Sequence, residues 1–196
     1  MSERFWYLRR GVAWQPVLGA CGAAAITAVL LARWPDDAFL LAPALLACCA
    51  AAAAFVYDED ALPVIAVTPR GATWRRVNRL GVALVPLSLW AVVVSVRPGH
   101  VSLAQPGWWL LGGSTVLLVA GSAALASRHL VPTPGALLAP AVTVAAVAPV
   151  TVTGLFSWGT LYPIGDFPDP VRTVWLGVAL SGAAVCALAL RPGLRP

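Results

Sequence analysis

Few side chains in this sequence could do chemistry, and most of them fall in one stretch. Asp58, Glu59 and Asp60 open it, and Arg75, Arg76 and Arg79 close it. Three adjacent carboxylates could serve acid–base or metal chemistry, but nothing around them completes such a site. No pair of acids is spaced for hydrolysis, and no His-Glu-x-x-His run supplies a metalloprotease. There is no Gly-x-Ser-x-Gly, and His100 and His129 fall in loops predicted on opposite sides of the chain's apolar layers, so a serine–histidine pair is not expected. All 13 basic residues are arginine. Without lysine there is neither a P-loop lysine for a nucleotide's terminal phosphates nor a Schiff base. Cys21, Cys48, Cys49 and Cys186 lie inside apolar runs without metal-finger or C-x-x-C spacing, which reads as small apolar packing. No cofactor or metal site is expected, and the chain is not expected to be an enzyme.

The elements that hold the charged stretch are apolar. Of 196 residues, 60% are hydrophobic and 11% charged, against about 25% charged in a soluble domain. Mean hydropathy is +0.83. The expected fold class is all-α: a polytopic membrane protein with six transmembrane helices, as a single transmembrane domain over 1–196. The predicted spans are 12–31, 38–56, 80–96, 108–126, 136–156 and 171–190. Six spans of about 20 residues use roughly 120 residues and leave only short loops and tails. Between the ends of these spans there is no Asp, Glu, His, Lys or Arg, Arg172 lying only at the mouth of the sixth, which argues against a proton-coupled pump.

Several local features follow from residue type. The segment 1–11, with Phe5, Trp6 and Tyr7 beside Arg4, Arg9 and Arg10, suits either a helix in the headgroup layer or a plain basic flank. Pro140 and Pro149 should kink or break the fifth span. Trp108 and Trp109 mark the start of the fourth span at a membrane surface. Gly177 and Ser181 form a small-xxx-small pair suited to close helix packing.

Orientation follows from the arginines. An even number of crossings puts both ends of the chain on one side. Arg4, Arg9, Arg10, Arg70, Arg75, Arg76, Arg79, Arg128, Arg191 and Arg195 fall there, against Arg33, Arg97 and Arg172 on the other. By the positive-inside rule both termini and the 58–79 loop are expected in the cytoplasm. The charge of +5 is thus read as a topology signal, not a nucleic-acid one. The expected location is a bacterial plasma membrane.

Within the loop, Asp60 can cap a short helix from Ala61, and Asp58 and Glu59 favour its positive end. Thr68 precedes Pro69 and is pushed toward an extended shape. Pro69-Arg70-Gly71 is a turn signal, and Thr73 can cap a second helix carrying Trp74, Arg75, Arg76 and Arg79 into the third span. Two readings stand side by side: an interfacial helix whose arginines meet lipid phosphates, or a docking element for a cytoplasmic subunit.

Asp58-Glu59-Asp60, then Leu62, Ile65, Thr68-Pro69, and Arg75-Arg76-x-x-Arg79 leading into the third span resemble the ABC-2-type transporter permeases. The likeness lies in about 25 residues and in the six-span topology. It implies an exporter permease subunit with a short cytoplasmic coupling helix between spans two and three. Asp58, Glu59, Asp60, Leu62, Ile65 and Pro69 would then dock a separate cytoplasmic ATPase, while Arg75, Arg76 and Arg79 hold the loop at the membrane surface. It also implies a second permease subunit, identical or not. The alternative is a non-catalytic membrane scaffold or accessory subunit of a larger complex.

Overall fold

Apolar runs of about 20 residues have one cheap solution in hydrocarbon, the helix, because it satisfies its own backbone. A computed structural model describes residues 3–58, 72–96, 100–101, 103, 106–129, 133–156 and 161–191. Its helices are α1 (Glu3–Gly11), α2 (Trp14–Arg33), α3 (Ala38–Phe55), α4 (Ala72–Val82), α5 (Leu84–Val96), α6 (Pro106–Arg128), α7 (Pro134–Phe156) and α8 (Asp169–Leu190). No strand occurs among the described residues. Six stretches are long and apolar enough to cross a membrane: Trp14–Arg33, Pro35–Phe55, Trp74–Val96, Pro106–Arg128, Pro134–Val152 and Asp169–Leu190. The fold is thus the expected all-helical membrane architecture.

The breaks have local causes. Trp34 precedes Pro35, so it leaves the helical region (φ −128°, ψ 74°) and α2 stops. Asp36 and Asp37 then sit in a 3-10 turn at the start of α3, where carboxylates complement the helix dipole. The interruption at Ala83 falls just before Pro86, whose ring crowds the carbonyl one turn back. Ala83 N–H is shared between the carbonyls of Arg79 (3.3 Å) and Leu80 (3.2 Å). α7, by contrast, runs unbroken through Pro140 and Pro149.

The third span differs most from expectation. Its helix begins at Ala72, so Arg75, Arg76 and Arg79 lie on a helix that continues, with one break, to Val96. Arg79 is only 1% exposed. The helix that carries the third apolar run thus starts before Leu80: nothing between Arg79 and Leu80 ends a helix, and the Arg79 charge is buried among carbonyls.

α3 is the central helix. It packs against α2, α5, α6 and α7, and 67% of its span is buried, against 17% for α2 and α7. Its alanines Ala50 to Ala54 are all buried, and their small size lets neighbouring helices come close. α8 packs on α6 but scarcely touches α7. In that pair a Cβ on Gly182 would lie 2.9 Å from the Leu118 amide nitrogen, and one on Gly121 would lie 2.7 Å from Cys186 Sγ. Gly177 and Ser181 instead face outward, so the close contact within this chain is made at Gly182. Cys49 and Cys186 are buried, Cys21 and Cys48 partly so, and all four are free thiols.

Candidate functional site

The charged stretch folds into one end of the bundle. α4 is short and amphipathic, and residues 76 and 79, one turn apart, share its inward side. Arg79 Nε donates to Tyr7 Oη of α1 (3.0 Å). Its Nη2 donates to the carbonyl of Gly11, the last residue of α1. Its Nη1 reaches the carbonyls of Val56 and Asp58, just past α3, each at 3.4 Å. Arg76 Nη1 donates to the carbonyl of Ala189, and Arg128 Nη1 to that of Leu188, both in the last turn of α8.

The physical logic is common to all three. A helix leaves its last four carbonyls without partners and carries about half a negative charge at that end. In a low-dielectric setting each spare carbonyl needs a donor. A guanidinium offers five N–H groups in a fixed fork, so one arginine can serve several helix ends. Arg79 does so for α1 and α3, and Arg76 and Arg128 do so for α8.

Further contacts fasten this end. Asp58 is 5% exposed, and its Oδ1 accepts the Gly135 N–H at 2.6 Å, a carboxylate on the first turn of α7. Tyr57 Oη donates to the Arg76 carbonyl at 3.2 Å, and burial pushes the Tyr57 phenol above its ordinary value. Tyr7 stacks at a tilt on Trp74, with ring centroids 5.2 Å apart. These bonds place α1, the ends of α3, α6 and α8, and the starts of α4 and α7 at one end of the bundle. Among the described residues, the segments whose arginines were expected on one side are therefore together.

Of the expected docking residues, Asp58 is buried with its carboxylate turned to α7. Glu59, Asp60, Leu62, Ile65 and Pro69 lie outside the described residues. Of the expected surface anchors, Arg79 and Arg76 are buried at 1% and 9% exposure, and their bonds named above run to the chain itself. Arg75 is half-buried.

Compared with protein-family models, with curated proteins and with solved structures, the chain matches none of them.

The opposite end is built from aromatics. Trp90 Nε1 donates to the Trp108 carbonyl (3.1 Å), Trp108 Nε1 to Pro163 (3.2 Å) and Trp175 Nε1 to Leu161 (3.1 Å). Phe167 meets the Trp108 edge at 6.3 Å, and Tyr162 lies 5.9 Å from Trp175. Residues 161–167 are thereby strapped across this end. Trp108, expected at a membrane surface, is fully buried, while its neighbour Trp109 faces outward. Burial pushes the Tyr162 phenol up to about 12.

Sequence patterns missed Tyr7, Gly11, Tyr57 and Gly135 as members of the arginine end, and put Arg128 on that side without its contact to α8. Most acceptors there are backbone carbonyls, which leave no mark on residue type. The one available signal was an arginine at the end of a helical run, as at Arg128. Among the described residues no group of three His, Cys, Asp or Glu is arranged to hold a metal.

Proposed function

We propose that the chain is the membrane-spanning permease subunit of an ATP-driven exporter of the ABC-2 type, coupled to a separate cytoplasmic ATPase through the segment between α3 and α4. The observation that carries this reading is how that segment is held. Asp58 before it is fixed to α7, and Arg79 after it is fixed to α1 and the end of α3. A force applied to residues 59–71 would reach at least four helices through buried bonds. That is the mechanical property a coupling segment requires. The acidic and apolar pattern of Glu59, Asp60, Leu62 and Ile65, and the absence of lysine, agree with ATP hydrolysis in a partner chain. On this reading the arginine end faces the cytoplasm.

The test is purification of the tagged chain from its native membrane in mild detergent. An ATPase with Walker A and ABC signature motifs should accompany it, and Glu59→Arg with Asp60→Arg should release that ATPase without impairing insertion. Asp58 is left intact because its burial would confound the result. A wild-type chain that brings down no such ATPase ends this reading. The accessory-scaffold reading draws on the outward-facing Gly177 and Ser181 of α8, a face another membrane helix would fit. Co-purification of other membrane chains alone would favour it.

A further inference from the structure

The two halves of the third span are held by different means. α5 is fixed by packing. Its Trp90, Val93 and Val94 are buried, it lies against α3 and α6, and the Trp90 indole is bonded to the start of α6. α4 is held by polar bonds. Arg79 Nε meets Tyr7 Oη at 3.0 Å and Tyr7 stacks on Trp74, so α4 and α1 are fastened to each other. The named ties of α4 to the ends of α3 and α8 run through the tips of Arg79, at 3.4 Å, Tyr57 and Arg76. An arginine side chain has many rotamers, so such a tie can be kept while the helix beneath it tilts.

The link between the halves is weak for reasons that fall on neighbouring residues. Pro86 has no N–H to offer the Val82 carbonyl one turn back. The Leu87 N–H reaches the Ala83 carbonyl at only 3.4 Å, beyond the usual range for such a bond. Ser88 Oγ donates to the Val85 carbonyl at 2.8 Å, a back-bond of the kind that bends helices. Together with the divided Ala83 N–H, these leave one turn of the span short of regular bonds. On the outer side a Cβ at Gly81 would meet nothing within 4 Å, and Leu84 is exposed. Proline alone does not produce this, since α7 passes through Pro140 and Pro149 without a break.

We propose that the third span is jointed at Ala83, and that α4 tilts together with α1 against an α5 that stays fixed in the bundle. Hinges of this kind sit at a few element-terminal residues that absorb the change in backbone angles. The joint lets the arginine end move while the aromatic end keeps its shape. It is a property of this chain and needs no ATPase, so it stands or falls apart from the exporter reading.

The experiment measures distances between paired spin labels by pulsed electron resonance on the full chain in lipid nanodiscs, with Cys21→Ala, Cys48→Ala, Cys49→Ala and Cys186→Ala. Val77→Cys on α4 is paired in turn with Val92→Cys on α5, Val144→Cys on α7 and Leu180→Cys on α8, all exposed positions. A tilt in any direction then changes at least one spacing. Tilts of about 20° on a lever of roughly 9 Å from Ala83 should spread that spacing by about 3 Å. Pro86→Ala, which restores the missing N–H, should narrow it to the width of the Val144–Leu180 pair. Pro140→Ala should leave it broad. Three wild-type spacings as narrow as Val144–Leu180 overturn the joint, as does equal narrowing by Pro140→Ala. If Pro86→Ala does not accumulate, the wild-type spacings decide alone. If the labelled chains do not accumulate, amide exchange on the native chain decides. Residues 83–87 should then exchange at least roughly fivefold faster than 89–93, the worth of one hydrogen bond, and equal rates reject the joint.

Discussion

At one end of the bundle carbonyls are met chiefly by guanidinium groups, and at the other by indole N–H groups. Arg79 alone reaches a tyrosine hydroxyl and three carbonyls from two other segments. Trp90, Trp108 and Trp175 of the far end each reach one carbonyl. An arginine has five donors and a full charge, whereas an indole has one donor and none. The arginine end is therefore a shared node, in which removing one residue strips several helices. The aromatic end is a series of separate clasps, in which removing one loosens one strand of loop. The same difference suits the ends to different duties: a node passes displacement among helices, while clasps hold a cover in place.

The largest test of that contrast is Arg79→Ala. It leaves the Gly11, Val56 and Asp58 carbonyls short of a buried donor, and each such group costs about 1–3 kcal/mol. A loss of at least about 3 kcal/mol is expected, read as a drop in the thermal unfolding midpoint in detergent. Arg79→Lys should recover little, because an ammonium is a point charge and lacks the fork. α1 should also become open to proteolysis. A lysine variant as stable as the wild type would show that charge alone, not shared donors, organises this end.

Gly112→Ala probes the aromatic end by volume instead of by charge. A Cβ at Gly112 would overlap the Trp90 indole, while one at Gly113 would meet nothing within 4 Å. Overpacking of this kind costs about 1–3 kcal/mol. Gly113→Ala should be neutral or gain up to about 1 kcal/mol from helix propensity. Equal midpoints for the two alanine variants would mean that the Trp90–Trp108 layer yields freely.

How much of this was legible beforehand depends on what each feature leaves in the residue string. The six spans were legible because hydrocarbon thickness sets a run length, and apolar runs carry that length openly. The gathering of arginine-bearing segments at one end followed from the parity of the crossings. The burial of Arg79 was not legible, because its acceptors are main-chain carbonyls that any residue type provides. Its charge marked it as a boundary, whereas the helix runs on from Ala72 to Val82 and turns residue 79 inward. Small-residue spacing at Gly177 and Ser181 signalled that a close approach is feasible, but not which face of α8 is inward. Gly182 holds that place against α6. Trp108 and Trp109 carry the same residue type and take opposite fates, since adjacent positions on a helix point about 100° apart.

Trp108→Phe is the smaller counterpart of the arginine deletion. It keeps most of the ring and removes the N–H that serves the Pro163 carbonyl, at a cost of about 1 kcal/mol. The loss should stay local: faster amide exchange in residues 161–168, with α1 and α4 unchanged. Spread of the faster exchange to the arginine end would contradict the picture of separate clasps.

The smallest effect is one that vanishes at neutral pH. Each end holds a buried tyrosine, Tyr57 among the arginines and Tyr162 among the aromatics. Burial raises both phenols, Tyr162 to about 12, and Tyr57 likewise, its nearby arginines offsetting part of the shift. A raised phenol favours the neutral form in the folded chain. Its contribution is complete below the ordinary value of about 10 and is lost as pH rises through the folded value. Alkali should therefore loosen both ends only above the ordinary phenol range. In an ultraviolet difference titration, Tyr162→Phe should remove a step near pH 12, and Tyr57→Phe one that also lies above the ordinary value of about 10. If the step that Tyr162→Phe removes lies near 10 instead, water reaches the aromatic end, and the picture of a clasped cover fails.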